Sequence, residues 1–237
     1  MFRSDIRDQG FDGTNNMISS FKSKILIVDD HAVLRQGMRR LIEDEPDLTV
    51  CGEAGDGPAA LALLSSAKPD AAVVDLGLEG MGGIDLIKNM KMRMPKLLIL
   101  VVSMYEESVY AERVLRAGAR GYVMKKESAE KVVSALRRIL SGKVYLSEKM
   151  ADRMLDRLTE GPDMEAESPV ARLSDRELEI FRLIGQGHKT GEIADELSLS
   201  VKTIETYREQ IKQKLRLEDA SELVRYAIEW VRDQGNS

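Results

Sequence analysis

Four apolar runs each end in a reactive or charged residue: ILIV (25–28) runs into Asp29 and Asp30, AAVV (71–74) into Asp75, LLILVV (97–102) into Ser103, and GYVM (121–124) into Lys125. Three carboxylates, a hydroxyl and an ammonium form a set suited to holding a divalent cation and handling a phosphoryl group. Adjacent like charges in a partly buried crevice need a cation or a basic partner. Hard oxygen donors favour Mg²⁺ over zinc or copper, and the two histidines, His31 and His188, cannot build a multi-histidine site. A carboxylate beside Mg²⁺ stays ionised and can attack phosphorus in line, giving an acyl phosphate. Asp75 is the candidate for that attack, with Lys125 neutralising charge on the transferring oxygens and Ser103 donating to the new phosphate. Singly, each residue has a plainer reading, since a carboxylate after a strand is commonly a helix N-cap. Their joint occurrence in strand order is what points to a site.

These residues can act together only if the runs are neighbouring strands. Short apolar runs bounded by helix-like polar segments read as buried strands of a parallel sheet, where ligands bind beyond the carboxyl ends. A fifth run, LTVCG (48–52), carries the single cysteine, Cys51, expected as a small buried core residue. Five strand–helix repeats predict an α/β, doubly wound five-stranded parallel sheet over 24–142. Residues 1–23 read as a flexible N-terminal tail, with Met17 a candidate start. Over 143–171, VYLSEKMADRMLDRL reads as a further amphipathic helix and the acidic, proline-containing stretch after it as a linker. From 172 to 237 the pattern becomes all-α, with four helices. Ser174 and Glu177 form a capping box, and Ser200 caps a longer third helix with the apolar stripe Val201, Ile204, Ile211 and Leu215. Helix, turn and longer helix in this order outline a helix-turn-helix.

Composition narrows the function classes. The net charge of −5 argues against a protein that coats nucleic acid indiscriminately, though not against a locally basic helix. The apolar run 97–102 is far too short to span a bilayer, and the N-terminal residues lack the apolar centre of a signal peptide. With one cysteine and no membrane segment, the expected compartment is the cytoplasm.

Asp29-Asp30, Asp75, Ser103 and the GYxxK pattern at 121–125 resemble the receiver domain of two-component response regulators, in order and spacing across 24–142. The resemblance implies that Asp75 accepts a phosphoryl group from a sensor histidine kinase. It also implies that Asp30, Asp75 and the Gly77 carbonyl ligate Mg²⁺, with Asp29 in the same acidic pocket. Ser103 and Tyr122 would form the switch pair, the ring turning inward behind the hydroxyl; a plainer reading of Tyr122 is an aromatic at the sheet edge. The chain departs from the family after the acceptor. The usual segment resembles D-x-N-M-P-G-M-N-G, whereas DLGLEGMGG places Gly77 two past the aspartate and Glu79 at the proline. Glycine is expected to loosen this loop and Glu79 to add negative charge, altering the lifetime of the phosphoryl group.

Residues 173–215 are similar to the LuxR/FixJ-type helix-turn-helix: L-S-x-R-E at 173–177, E-I-A at 192–194, S-x-x-T-I at 200–204 and I-x-x-K-L at 211–215. Together the two resemblances point to the NarL/FixJ class of transcriptional regulator. The implied DNA-facing set is Lys202, Thr203, Glu205, Thr206, Arg208, Glu209, Lys212 and Lys214, with the basic side chains meeting phosphates. Tyr207 and Gln210 stand where histidine and asparagine are usual, and His188 is read as a surface residue. The implied partners are double-stranded DNA, a cognate sensor kinase, a second copy of the chain when active, and RNA polymerase. An enzyme in its own right is disfavoured, because catalysis would be limited to the receiver assisting its own phosphorylation and dephosphorylation. The competing class is a phosphorylation-independent regulator or interaction module with constitutive or weak DNA binding, which the Gly77 and Glu79 departures keep open.

Overall fold

The computed structural model describes residues 22–160 and 168–235; the sequence expectations for the tail before residue 22, the Met17 start and residues 161–167 lie outside them. Strands and helices alternate as β1 (Ser23–Val28), α1 (Ala32–Glu43), β2 (Leu48–Ala54), α2 (Gly57–Ala67), β3 (Ala71–Val74), α3 (Gly83–Arg93), β4 (Leu98–Ser103), α4 (Glu107–Ala117), β5 (Gly121–Met124) and α5 (Ala129–Leu140). The five strands form one sheet, all parallel, in the order β2-β1-β3-β4-β5. Side chains alternate across it: Ile25 and Ile27 pack with Ile42 of α1 and Leu136 of α5, while Leu26 and Val28 face Leu64 of α2 and Leu86 of α3. Both faces are therefore covered, which is why the strands read as continuous apolar runs.

α6 (Glu148–Glu160) leads to a 3₁₀ turn (Pro169–Arg172) and four helices, α7 (Asp175–Gly185), α8 (Thr190–Glu196), α9 (Val201–Leu215) and α10 (Ala220–Gly235). Ser174 caps α7 with the expected capping box, and the Ser200 hydroxyl accepts from the Thr203 N–H at the start of α9. Gly185 lets α7 and α10 cross closely, since a Cβ there would strike the Ala227 carbonyl and Val231. Among the described residues, no helix is long and apolar enough to cross a membrane.

Three details differ from the sequence expectations. The segment from Val144 does not begin a helix: Tyr145 bridges Gly121 and exchanges backbone hydrogen bonds with Arg120 and Tyr122, satisfying the outer edge of β5. Cys51 is only partly buried, because β2 is an edge strand, and that partial burial pushes its thiol pKa up. Val201 is 48% exposed; the first turn of α9 projects beyond the domain core, and only Ile204, Ile211 and Leu215 of the stripe are buried.

Candidate functional site

In the order 2-1-3-4-5, the chain leaves β1 and β3 in opposite directions, opening a crevice between their carboxyl ends. Asp29 and Asp30 follow β1, and Asp75 follows β3. The pairing of Val28 with Val74 sets the carboxylates side by side. Ser103, the last residue of β4, is fully buried, and Lys125 follows β5. The sheet register thus brings together residues spread over almost a hundred positions of sequence.

The Lys125 ammonium lies 2.6 Å from Asp29 Oδ2 and 2.6 Å from Asp75 Oδ2. Burial works to lower its pKa, but the two carboxylates outweigh burial and hold it above the ordinary lysine value. Lys125 thereby stays charged and offsets the repulsion between Asp29 and Asp75. Asp29 is fixed from two sides: its Oδ1 accepts from the His31 N–H at 2.8 Å, and its carbonyl accepts from Arg35 at 2.6 Å. Asp30, Asp75 and Asp29 present oxygens within 4.8 Å of one another, as does a ring nitrogen of His31. That hard-oxygen cluster fits a divalent cation such as Mg²⁺. The sequence excludes a multi-histidine site but leaves a single donor at His31 open, and its position directly after the acidic pair is the available signal. The His31 Nδ1 shares a 2.6 Å hydrogen bond with Asp30 Oδ1.

Tyr122 is buried rather than displayed at the sheet edge, and its hydroxyl donates to the Tyr105 carbonyl at 2.6 Å. Burial pushes its pKa well above the ordinary tyrosine value. The Ser103 hydroxyl accepts from the Tyr105 N–H at 3.4 Å, so both members of the expected switch pair hold the segment at Tyr105. Sequence reasoning missed Tyr105. Its hydroxyl sits 3.1 Å from where a Cβ on Gly77 would stand, and Asp75 Oδ2 lies 3.6 Å from the same point. The space left by the glycine beside the acceptor is thus taken by a tyrosine, whereas Glu79 points to solvent.

The helical domain rests against this end of the α/β domain. Asp175, at the start of α7, accepts from Lys88 of α3 at 2.7 Å and from Arg113 of α4 at 3.1 Å. Burial would raise the Asp175 pKa, but the two cations hold it below the ordinary value. Glu179 lies over Gly82, where a Cβ would stand 2.6 Å from its Oε1, and burial pushes its carboxyl pKa up. The Arg182 guanidinium stacks 4.8 Å from the centre of the Tyr105 ring.

On α9, Lys202, Glu205, Thr206 and Glu209 are exposed and Thr203 is half-exposed beside Ser200. The remaining cations are differently placed. Lys214 reaches back to Glu177 at 2.6 Å, Lys212 pairs with Glu209 at 2.8 Å, and Arg208 lines a groove with Ser221 and Arg225 of α10. Tyr207 is half-buried against the core, and His188 is partly exposed near Glu196.

Comparison with known proteins matches both halves. The family described as response regulator receiver domain matches residues 25–137, and bacterial regulatory proteins of the luxR family match residues 171–227. The chain is 36% identical over 209 residues to the oxygen regulatory protein NreC of Staphylococcus carnosus, spanning 86% of this chain and 96% of that one. It is 35% identical over 205 residues to the response regulator GacA of Pseudomonas aeruginosa, spanning 86% and 95%. RcsB of Salmonella enterica serovar Typhimurium, solved bound to the promoter rprA with phosphomimetic BeF3−, superposes with a TM-score of 0.64 at 28% identity, covering 87% of this chain and 98% of that one.

Proposed function

The chain belongs to the two-component response regulators of the NarL/FixJ class, a family of DNA-binding transcription regulators, and on that premise we propose that phosphorylation of Asp75 controls its binding to double-stranded DNA. The observation that carries this reading is the Lys125 ammonium held 2.6 Å from both Asp29 and Asp75 in the crevice between β1 and β3. A phosphohistidine on a cognate sensor kinase is the donor. The Asp75 oxygen not bound by Lys125 attacks phosphorus, and the P–N bond breaks as the new P–O bond forms. Asp30, Asp75 and the Gly77 carbonyl, with Asp29 beside them, would hold Mg²⁺, which supplies positive charge at the transferring oxygens. Lys125 supplies a second positive charge, and Ser103 donates to the transferred group. The protein acts as a regulator, its catalysis confined to its own acceptor, and it works in the cytoplasm.

The DNA-facing residues are the exposed side of α9, with Lys202, Thr203, Glu205, Thr206 and Glu209 toward the major groove and Arg208, Lys212 and Lys214 flanking them. Two copies of the chain reading a two-fold site make the active species, with RNA polymerase as the downstream partner. DNA binding by the full chain and by Asp75→Ala, each with and without beryllofluoride, tests the reading. The expected result is tighter binding in one condition, the unsubstituted chain with beryllofluoride. Equal binding in all four conditions supports a phosphorylation-independent regulator instead.

A further inference from the structure

We propose that Arg182, in the DNA-binding domain, is a positioning residue for the phosphorylation of Asp75, acting by holding the Tyr105 ring across the mouth of the acceptor site. The inference rests on Asp75 being the acceptor. Gly77, which departs from the family pattern, and Gly82 mark the places where another side chain fills the space. Tyr105 places its hydroxyl 3.1 Å from the missing Cβ of Gly77, and Glu179 places a carboxylate oxygen 2.6 Å from the missing Cβ of Gly82. One occupant comes from the receiver and the other from the output domain, and Arg182, on the same helix as Glu179, stacks 4.8 Å from the Tyr105 ring centre.

Tyr105 is held at several points. Its carbonyl accepts from Tyr122, its N–H donates to Ser103, and its ring packs 5.1 Å from that of Tyr110. The backbone contacts fix where the loop starts, and Arg182 fixes where the ring ends. A donor approaching Asp75 must pass the hydroxyl beside Gly77, so docking of α7 narrows access to the acceptor. Because coupling between sites is reciprocal in binding free energy, a phosphoryl group on Asp75 that displaces Tyr105 also loosens α7. The output domain therefore regulates the chemistry that regulates it.

The test is phosphorylation of the full chain by acetyl phosphate with Mg²⁺, followed by intact mass as a function of donor concentration. The Asp75 oxygen gains the phosphoryl group as the P–O bond to acetate breaks and acetate leaves. Arg182→Ala is expected to raise kcat/KM for acetyl phosphate about threefold, the shift that loss of one cation–π contact produces, through a lower donor KM. Arg182→Lys keeps a cation on the ring and is expected to keep the unsubstituted kinetics. Asp175→Asn, which loosens α7 without touching Tyr105, is expected to move kcat/KM in the same direction as Arg182→Ala. Equal kcat/KM for the unsubstituted chain and Arg182→Ala overturns the inference while leaving Asp75 as acceptor. An Arg182→Lys variant as fast as Arg182→Ala also overturns it. If no form gains mass at Asp75, the acceptor assignment falls and this inference with it.

Discussion

Lys125 decides the electrostatics of the acceptor crevice, because it is the cation that Asp29 and Asp75 share. Its raised pKa means that its stabilising contribution is present below the ordinary lysine value and is lost as pH rises through the higher folded-state value. Across neutral pH it does not titrate, so a neutral-range pH dependence of phosphorylation must come from another group. Replacing it leaves two carboxylates without their shared cation. Lys125→Ala is expected to slow phosphorylation by acetyl phosphate about a hundredfold, the usual cost of removing one transition-state charge partner. The same variant should bind Mg²⁺ more tightly, because a competing positive charge has gone; isothermal titration measures this, and weaker binding would contradict the shared-cation picture. Asp75→Asn should gain no mass from acetyl phosphate under conditions where the unsubstituted chain does.

At the scale of elements, close backbone approach and capping decide stability. A Cβ on Gly83 would lie 2.5 Å from Leu76 Cα and 2.7 Å from the Asp75 carbonyl, both backbone atoms that cannot swing aside. Gly83→Ala should cost about 1–3 kcal/mol in urea unfolding, in the manner of an overpacked core. Glu177 is buried, accepting from the Ser174 N–H at 2.7 Å and from Lys214 at 2.6 Å. Burial alone would raise its pKa, but Lys214 and Ser174 hold it below the ordinary glutamate value. Its contribution is therefore present above that ordinary value and lost as pH falls through the lower, folded-state value. Glu177→Ala should destabilise the helical domain by about 1–2 kcal/mol at neutral pH, the cost of a lost capping hydrogen bond and a half-exposed ion pair, with the difference shrinking below roughly pH 4. The strand ends and the caps at Ser174 and Ser200 were legible in the sequence because periodicity and capping act within a few residues. The Tyr145 bridge was not, since it depends on what the edge of β5 leaves unpaired. Nor was the stacking of Arg182 on Tyr105, because no local pattern links residues so far apart.

For the whole molecule, docking of α7 through Asp175 to Lys88 and Arg113 turns two domains into one body, with a shared apolar cluster. The low pKa of Asp175 gives docking a sign: the ion pairs contribute above the ordinary aspartate value and fail as pH drops through the lower docked-state value. Asp175→Asn is expected to increase the radius of gyration in small-angle scattering at neutral pH. An unchanged radius would mean that the apolar cluster alone holds the domains. Docking engages α7 and leaves α9 packed on α7, α8 and α10, its outer side open. On that open side the positive charge is sparse, since Lys214 is committed to Glu177 and Lys212 to Glu209. Lys202, exposed and outside these ion pairs, displaces roughly two counterions from a duplex per pair of chains. Its share of the slope of log affinity against log salt is then only about −2. Such a reader loses little grip as ionic strength rises, and it lingers little on random sequence.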